Sequence, residues 1–242
     1  MNKIIRLNSL IEALASSPPR VNKVFIQKDS KKKKIAEVIQ LAKIRHIPFH
    51  FVPREKLDRL DRSHQGAVAF VSPKGFSSVE EILSSAKVPL VVLLDEIEDP
   101  QNLGAIIRTA EGAGADGIIL PERRSAGITE AVASVSAGAL EYLKVARVKN
   151  LARTMEDLKR RGLWLVGAEG GQDEYWYEFD YCVPLGLVLG SEGKGLRPLI
   201  KRNCDKILSI PLLGRITSLN VAAAAAIFLF EVIRQRESKK NE

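Results

Sequence analysis

A chain of 242 residues, 45% hydrophobic and 27% charged, is too evenly mixed for a disordered or fibrous protein, and its length suits one large domain or two small ones. Its longest apolar run, Val221 to Phe230, falls short of the roughly 18 residues a membrane span needs. The opening Met1-Asn2-Lys3-Ile4-Ile5-Arg6 lacks a signal peptide's apolar stretch, so a soluble, cytoplasmic protein with no membrane partner is expected. Two cysteines, Cys182 and Cys204, supply neither a disulfide framework nor metal-ligand spacing. The net charge of +8 is unevenly placed: residues 1–87 hold 17 Lys and Arg against 8 Asp and Glu, so the entire excess lies in the first third. A polyanion docking there would release counterions and gain affinity; a merely solvated basic surface, with Lys31-Lys32-Lys33-Lys34 opening a helix, is the alternative.

In chain order, a helix is predicted over 9–16, closed by Pro18-Pro19, then a strand at Val24-Phe25-Ile26. Ile35, Val38, Ile39 and Ala42 recur at helical spacing. Phe49–Val52 reads as a strand, a charged helical turn follows, and Ala67–Val71 is an apolar run suited to a buried strand. These elements make a small α/β domain over residues 1–75, with 76–87 as linker and a short helix over 79–86. From Val88 the scale changes. Strands are predicted at 91–94, 118–120, 145–148, 163–166, 187–189 and 207–210, with helices near 103–110, 128–138, 151–161, 196–203 and 218–236. Such alternation predicts a mostly parallel sheet covered on both faces over residues 88–242.

Two glycine-rich segments match known motifs and fail on context. Gly112-Ala113-Gly114-Ala115-Asp116-Gly117 has dinucleotide-binding spacing but follows a helix and enters a strand, so it reads as a helix stop. Gly190-Ser191-Glu192-Gly193-Lys194-Gly195 lacks the spacing and the Ser or Thr of a phosphate loop. All three histidines, His46, His50 and His64, lie in the first third. The sheet domain therefore has no histidine for a serine triad or a zinc site. Its chemistry must rest on Asn, Arg, Glu, Ser and backbone groups, which favours a transfer whose reactivity a cofactor supplies.

Three polar segments follow strands of that domain: Asp99-Pro100-Gln101-Asn102-Leu103-Gly104-Ala105-Ile106-Ile107-Arg108, then Leu189-Gly190-Ser191-Glu192-Gly193-Lys194-Gly195-Leu196, then Ile210-Pro211-Leu212 with Ser218-Leu219-Asn220-Val221. Loops beyond the carboxyl ends of parallel strands are where such sheets bind ligands. In this order the segments resemble the three motifs of the SpoU (TrmH-type) branch of the SPOUT RNA methyltransferases. His64-Gln65-Gly66 resembles the end of that family's N-terminal domain. Ser136–Glu141 and Val148–Leu151 look like the 23S ribosomal RNA guanosine 2′-O-methyltransferases.

The resemblance implies an L30e-like RNA-binding domain followed by a SPOUT domain whose C-terminal segment forms a trefoil knot. It implies a homodimer, with each pocket drawing on both subunits, and S-adenosylmethionine as cofactor, without metal. By the same carry-over, Gly190, Ile210, Leu219 and Ala168 contact the adenosine. Asn102, Arg108, Glu192, Ser218 and Asn220 line the reaction site, and His64 and Gln65 contact RNA. Arg108 would contact the target phosphate and either assist deprotonation of the 2′-hydroxyl or stabilise the developing alkoxide, with Glu192 orienting Arg108 or its own loop. Local readings compete: Asn102 or Ser218 as helix N-caps, Arg108 as a solvated side chain, Glu192 as an ion-pair partner of Lys194 or Arg197, and His64 and Gln65 as structural residues of the turn beside the strand at 67–71. The aromatics Tyr175, Trp176, Tyr177, Phe179 and Tyr181 could pack at a surface or stack on bases. The expected substrate is 23S ribosomal RNA at a guanosine; transfer RNA, or a non-catalytic RNA-binding role in ribosome assembly, are the alternatives.

Overall fold

In the computed structural model, residues 2–84 and 86–240 are described; Met1, Ser85 of the expected linker and the last two residues lie outside them. The chain folds into two units. One comprises the residues up to Gly75 together with Ile128–Tyr142, the other Phe76–Gly127 together with the residues from Leu143 onward.

The first unit runs β1 (Asn2–Ile4), α1 (Leu7–Ala15), β2 (Val21–Gln27), α2 (Lys33–Ile44), β3 (Phe49–Val52), α3 (Arg54–Leu60) and β4 (Ala67–Val71). Its sheet has the order β1-β4-β2-β3, with β2 and β3 parallel and β4 antiparallel to both its neighbours. The period of two along β2 sends Val24 and Ile26 into a core with Leu10, Leu14, Ile35, Val38 and Ala42 from α1 and α2. Phe25 points the other way, onto Val52, Val68 and Leu57 of α3. The short β1 has no counterpart in the sequence reading. Three residues carry too little periodicity to be visible, and β1 forms because the free edge of β4 pairs Asn2 with Val71 and Ile4 with Ala69.

Residues 128–142, which the sequence assigns to the second domain, cluster with the first. They hold α6 (Glu130–Val135), shorter than the expected 128–138 because Ala137 (φ 53) and Gly138 (φ 102) leave the helical region. Arg20 clamps Glu141 through Nε–Oε2 at 2.8 Å and Nη2–Oε1 at 2.6 Å, with both side chains nearly buried. Glu130 accepts from the Lys3 backbone N–H at 2.8 Å. The expected linker 76–87 is likewise part of a unit, the second: Ser77 N–H donates to the Val145 carbonyl at 2.9 Å. Ser78 caps α4 (Val79–Leu83) in a reciprocal box with Glu81, and Ile82 is fully buried.

The second unit continues with β5 (Leu90–Leu94), α5 (Pro100–Gly112), β6 (Gly117–Pro121), β7 (Lys144–Val148), α7 (Leu151–Arg160), β8 (Trp164–Ala168), β9 (Leu185–Leu189), α8 (Pro198–Asn203), β10 (Lys206–Leu208) and α9 (Val221–Lys240). Its six strands are all parallel in the order β10-β8-β9-β5-β6-β7. Every residue of the two central strands, β9 and β5, is buried, as a sheet covered on both faces requires. Val91, Leu93, Leu165 and Val188 pack under Met155 and Leu158 of α7 and Ile200 of α8. The paired helices α5 and α9 accompany the sheet separately.

Between β8 and β9 there is no helix, and the aromatic segment fills the gap by packing. Tyr181 is fully buried, donates to the Trp176 carbonyl at 2.6 Å and lies 5.1 Å ring to ring from Phe179. Burial beside Glu231 raises its phenol pKa, so that it stays protonated. Cys182 and Cys204 are free thiols. Burial pushes Cys204 up to about 12, so at pH 8.5 it should resist alkylation in the native protein, which peptide mass mapping after iodoacetamide treatment checks. Among the described residues no helix is long and apolar enough to cross a membrane, and no group of three His, Cys, Asp or Glu residues could hold a metal ion.

Candidate active site

The loops that follow β8, β9 and β10 enclose a cleft of about 470 Å³, within the usual range for a small-molecule site. Its walls include Ala168, Gly190, Glu192, Ile210, Ser218 and Leu219, with Leu208 and Phe228 supplying apolar depth. All four residues expected to touch the adenosine are therefore brought together.

Gly190 makes the cleft possible. A Cβ there would stand 2.3 Å from the Gly195 carbonyl carbon and 2.6 Å from the Leu196 nitrogen, so the chain returns across a position only glycine can hold. The return is closed by the Gly195 N–H donating to the Ser191 carbonyl at 3.0 Å, and Gly195 itself has φ 65.

Beyond the loop, Arg197 fastens the turn to β5. Asp95, the residue after that strand, is buried; its Oδ2 accepts the Arg197 backbone N–H at 3.0 Å and its Oδ1 accepts Nε at 2.8 Å. The carboxylate raises the Arg197 guanidinium pKa above its ordinary value. Removing the side chain with Arg197→Ala leaves a buried carboxylate with only its backbone donor. The expected cost is about 2 kcal/mol, read as a shifted denaturant midpoint, and the half-exposure of Arg197 keeps it below that of a fully buried pair.

At the mouth of the cleft the three polar segments meet through Asn220. Its Nδ2 donates to Asn102 Oδ1 at 2.9 Å and to Glu192 Oε1 at 2.5 Å. Its Oδ1 accepts from the Ala222 N–H at 2.9 Å, so Asn220, rather than Ser218, caps α9. The cap of α5 is Asp99, accepting from Gln101 N–H at 3.0 Å with Pro100 in the first turn; Asn102 is buried and free of capping duty. Glu192 pairs with neither Lys194 nor Arg197, and its partner is Asn220 instead of Arg108. Of the two roles expected for Glu192, this contact is the one with its own loop, which it joins to the segment carrying Asn220.

Ser218 is exposed on the cleft wall. Arg108 is also exposed, outside the cleft lining, and makes no hydrogen bond or ion pair among the described residues.

His64 and Gln65 make bonds within the fold, as the structural reading of their turn expects. The His64 side chain is 3% exposed, its Nε2 3.0 Å from Asp58 Oδ1 while its Nδ1 accepts the Gly66 N–H at 3.0 Å. Gln65 Oε1 accepts the Leu7 N–H at 2.9 Å. Both brace the turn into β4. Beside this turn lies a recess lined by Gln27, Asp29, Ser30, Lys31, Lys32, Arg54, His64 and Gly66, where Lys31, Lys32 and Arg54 outnumber the one carboxylate and the positive excess of the N-terminal third becomes a place.

Two models of known families match the chain: the SpoU rRNA methylase family over residues 89–230, and the RNA 2′-O ribose methyltransferase substrate-binding domain over residues 7–77. A Bacillus subtilis protein, YacO, provisionally assigned as a TrmH-family tRNA/rRNA methyltransferase, is 42% identical over 96% of this chain and 95% of its own. Among solved structures, the SpoU methyltransferase AviRb of Streptomyces viridochromogenes, in complex with its cofactor AdoMet, superposes with a TM-score of 0.83 at 26% identity, covering 98% of this chain and 90% of that one. The A. aeolicus TrmH/SpoU tRNA modifying enzyme is 31% identical with a TM-score of 0.59, covering 66% of this chain and 81% of its own. A substrate-binding domain followed by a methylase domain, each matched by its own family model, defines an S-adenosylmethionine-dependent RNA methyltransferase. The chain belongs to the SpoU family, of TrmH type.

Proposed function

We propose that the protein methylates a ribose 2′-hydroxyl of ribosomal RNA, at a guanosine of 23S rRNA, in the cytoplasm and as a homodimer. One observation carries the reading. Asn220 ties Asn102 to Glu192 at the mouth of the cleft that holds Gly190, Ile210 and Leu219, so the groups expected to handle RNA border those expected to hold the cofactor. The name of the matching family, SpoU rRNA methylase, supports ribosomal RNA, and the tRNA-modifying relative corresponds to only 66% of the chain.

The bound cofactor supplies an electrophilic methyl on its sulfonium. The cleft fits it: a glycine-only crossing at Gly190 lets backbone groups approach closely, and the apolar wall can take an adenine ring. Asn102, Asn220 and Glu192 hold the three loops in one arrangement, which fixes the line of attack. Ser218 offers a hydroxyl on the same wall. Arg108 brings a guanidinium to the substrate phosphate or to the oxygen that loses its proton, stabilising negative charge there. Its exposure outside its own chain's cleft supports a pocket completed across the dimer. So do the exposed apolar side chains of Leu213 and Ile216, in the segment before α9, and of Phe230 midway along it. We also propose that the passage from β10 to α9 is threaded as a trefoil knot, supported by the position of β9 between β8 and β5.

The test is label transfer from S-adenosylmethionine to unmodified 23S rRNA and unmodified tRNA, with the product mapped by mass spectrometry. One 2′-O-methylguanosine in 23S rRNA is expected; label in tRNA alone overturns the substrate. RNA docking at the basic recess has its own check. Lys31→Glu combined with Arg54→Glu should weaken RNA binding and lower the slope of log affinity against log salt by about 2. An unchanged slope places RNA elsewhere.

A further inference from the structure

Glu169 is the one acidic residue of the cleft wall to which the sequence attaches no role. It follows the last residue of β8, and its backbone N–H donates to the Leu208 carbonyl at 3.1 Å, fixing the side chain's origin. One carboxylate oxygen, Oε1, accepts Lys201 Nζ at 2.7 Å. The other, Oε2, is sealed from solvent and has no donor among the described residues. It lies 3.5 Å from the place a Cβ of Gly195 would take, on the inner side of the glycine loop. The second acid of the wall, Glu192, is exposed and already committed to Asn220.

A carboxylate oxygen withdrawn from water without a donor is costly, and a ligand donor in the cleft removes that cost. The geometry points to Glu169 Oε2 as the acceptor for a ribose hydroxyl of the cofactor's adenosine. This rests on the assignment of the cleft to S-adenosylmethionine. The charge balance selects the hydroxyl. Glu169 and Lys201 already form a neutral pair, so a second ammonium, that of the methionine part, would leave excess positive charge in a partly buried place. A hydroxyl donates without adding charge. An acid at the end of a parallel strand that receives a ribose hydroxyl is also the solution other nucleotide-binding sheets use. Glu169 is thus a specificity-determining residue for the nucleoside, and Lys201 is the positioning residue that holds it.

The experiment is calorimetric titration of the full-length protein with S-adenosylhomocysteine, its 2′-deoxy and 3′-deoxy forms, and 5′-methylthioadenosine, which keeps the nucleoside and lacks the amino-acid part. The wild type should bind at least one deoxy form about tenfold or more weakly than the parent. Glu169→Ala should weaken the parent and methylthioadenosine by a similar factor and bind all three homocysteine ligands alike. Glu169→Gln, which keeps the size of the side chain, should discriminate less than the wild type; it decides the matter if the alanine variant does not fold. Discrimination undiminished in these variants overturns the proposal. So does a loss confined to ligands that carry the ammonium. Wild-type protein that binds none of the ligands fails differently, since it removes the cofactor assignment on which the proposal stands.

Discussion

Arg108→Ala is expected to slow methyl transfer by at least about a hundredfold while leaving the Kd for S-adenosylhomocysteine and the thermal midpoint unchanged. The separation follows from where α5 places this side chain. Ile106, Ile107 and Ala110 turn into the core, whereas Arg108 is exposed and touches no partner among the described residues, so its truncation removes nothing that holds the helix or the cleft. Single-turnover rates with saturating cofactor, beside titration calorimetry and thermal melts, give the three readouts. Turnover near that of the wild type would strip Arg108 of its role. Arg108→Lys separates the two chemical versions. A stabiliser of negative charge retains part of the rate with an unchanged pH profile, while a base shifts the profile toward the lower pKa of an ammonium.

Gly190→Ala should abolish measurable cofactor binding and lower stability by about 1–3 kcal/mol. The added methyl would meet the Gly195 carbonyl carbon at 2.3 Å, its oxygen at 2.4 Å and the Leu196 nitrogen at 2.6 Å, all of them backbone, so no rotamer change relieves the clash. Gly193→Ala is the control from the same loop. It bears a left-handed φ of 78 but opens onto free space, so it carries strain without collision and should keep most of the affinity. Equal losses in the two variants would show that loop strain, rather than the crossing at Gly190, governs the cleft.

How much of this was legible in the residues depended on distance along the chain. Val91–Leu94 and Leu187–Leu189 declared buried strands because apolar runs are local. The three polar segments could be seen as a set because each follows a strand and parallel sheets collect ligands at that end. Helix starts were harder. Ser218 and Asn102 are both sound capping residues, and only the folded backbone separates them from Asn220 and Asp99, which do the capping. Pairs that join far positions left no trace at all: Asp95 with Arg197, and Glu169 with Lys201, depend on strand order rather than on spacing. His64 is the opposite case, since its partners Asp58 and Gly66 lie six and two residues away and its place in a turn was legible.

The assignment of residues 128–142 to the first unit bears on how the protein is made. The ribosome releases Gly75 well before Tyr142, yet Arg20 finds its carboxylate only when Glu141 has emerged. The N-terminal unit therefore stays incomplete until β5, α5 and β6 of the other unit are already outside, and the two must mature together rather than one after the other. The same interleaving means that a protease nick near Gly75 would leave two intact crossings of the chain between the units, at 127–128 and 142–143. The severed residues 1–75 would then be retained only by noncovalent contacts with 128–142, the Arg20–Glu141 pair among them.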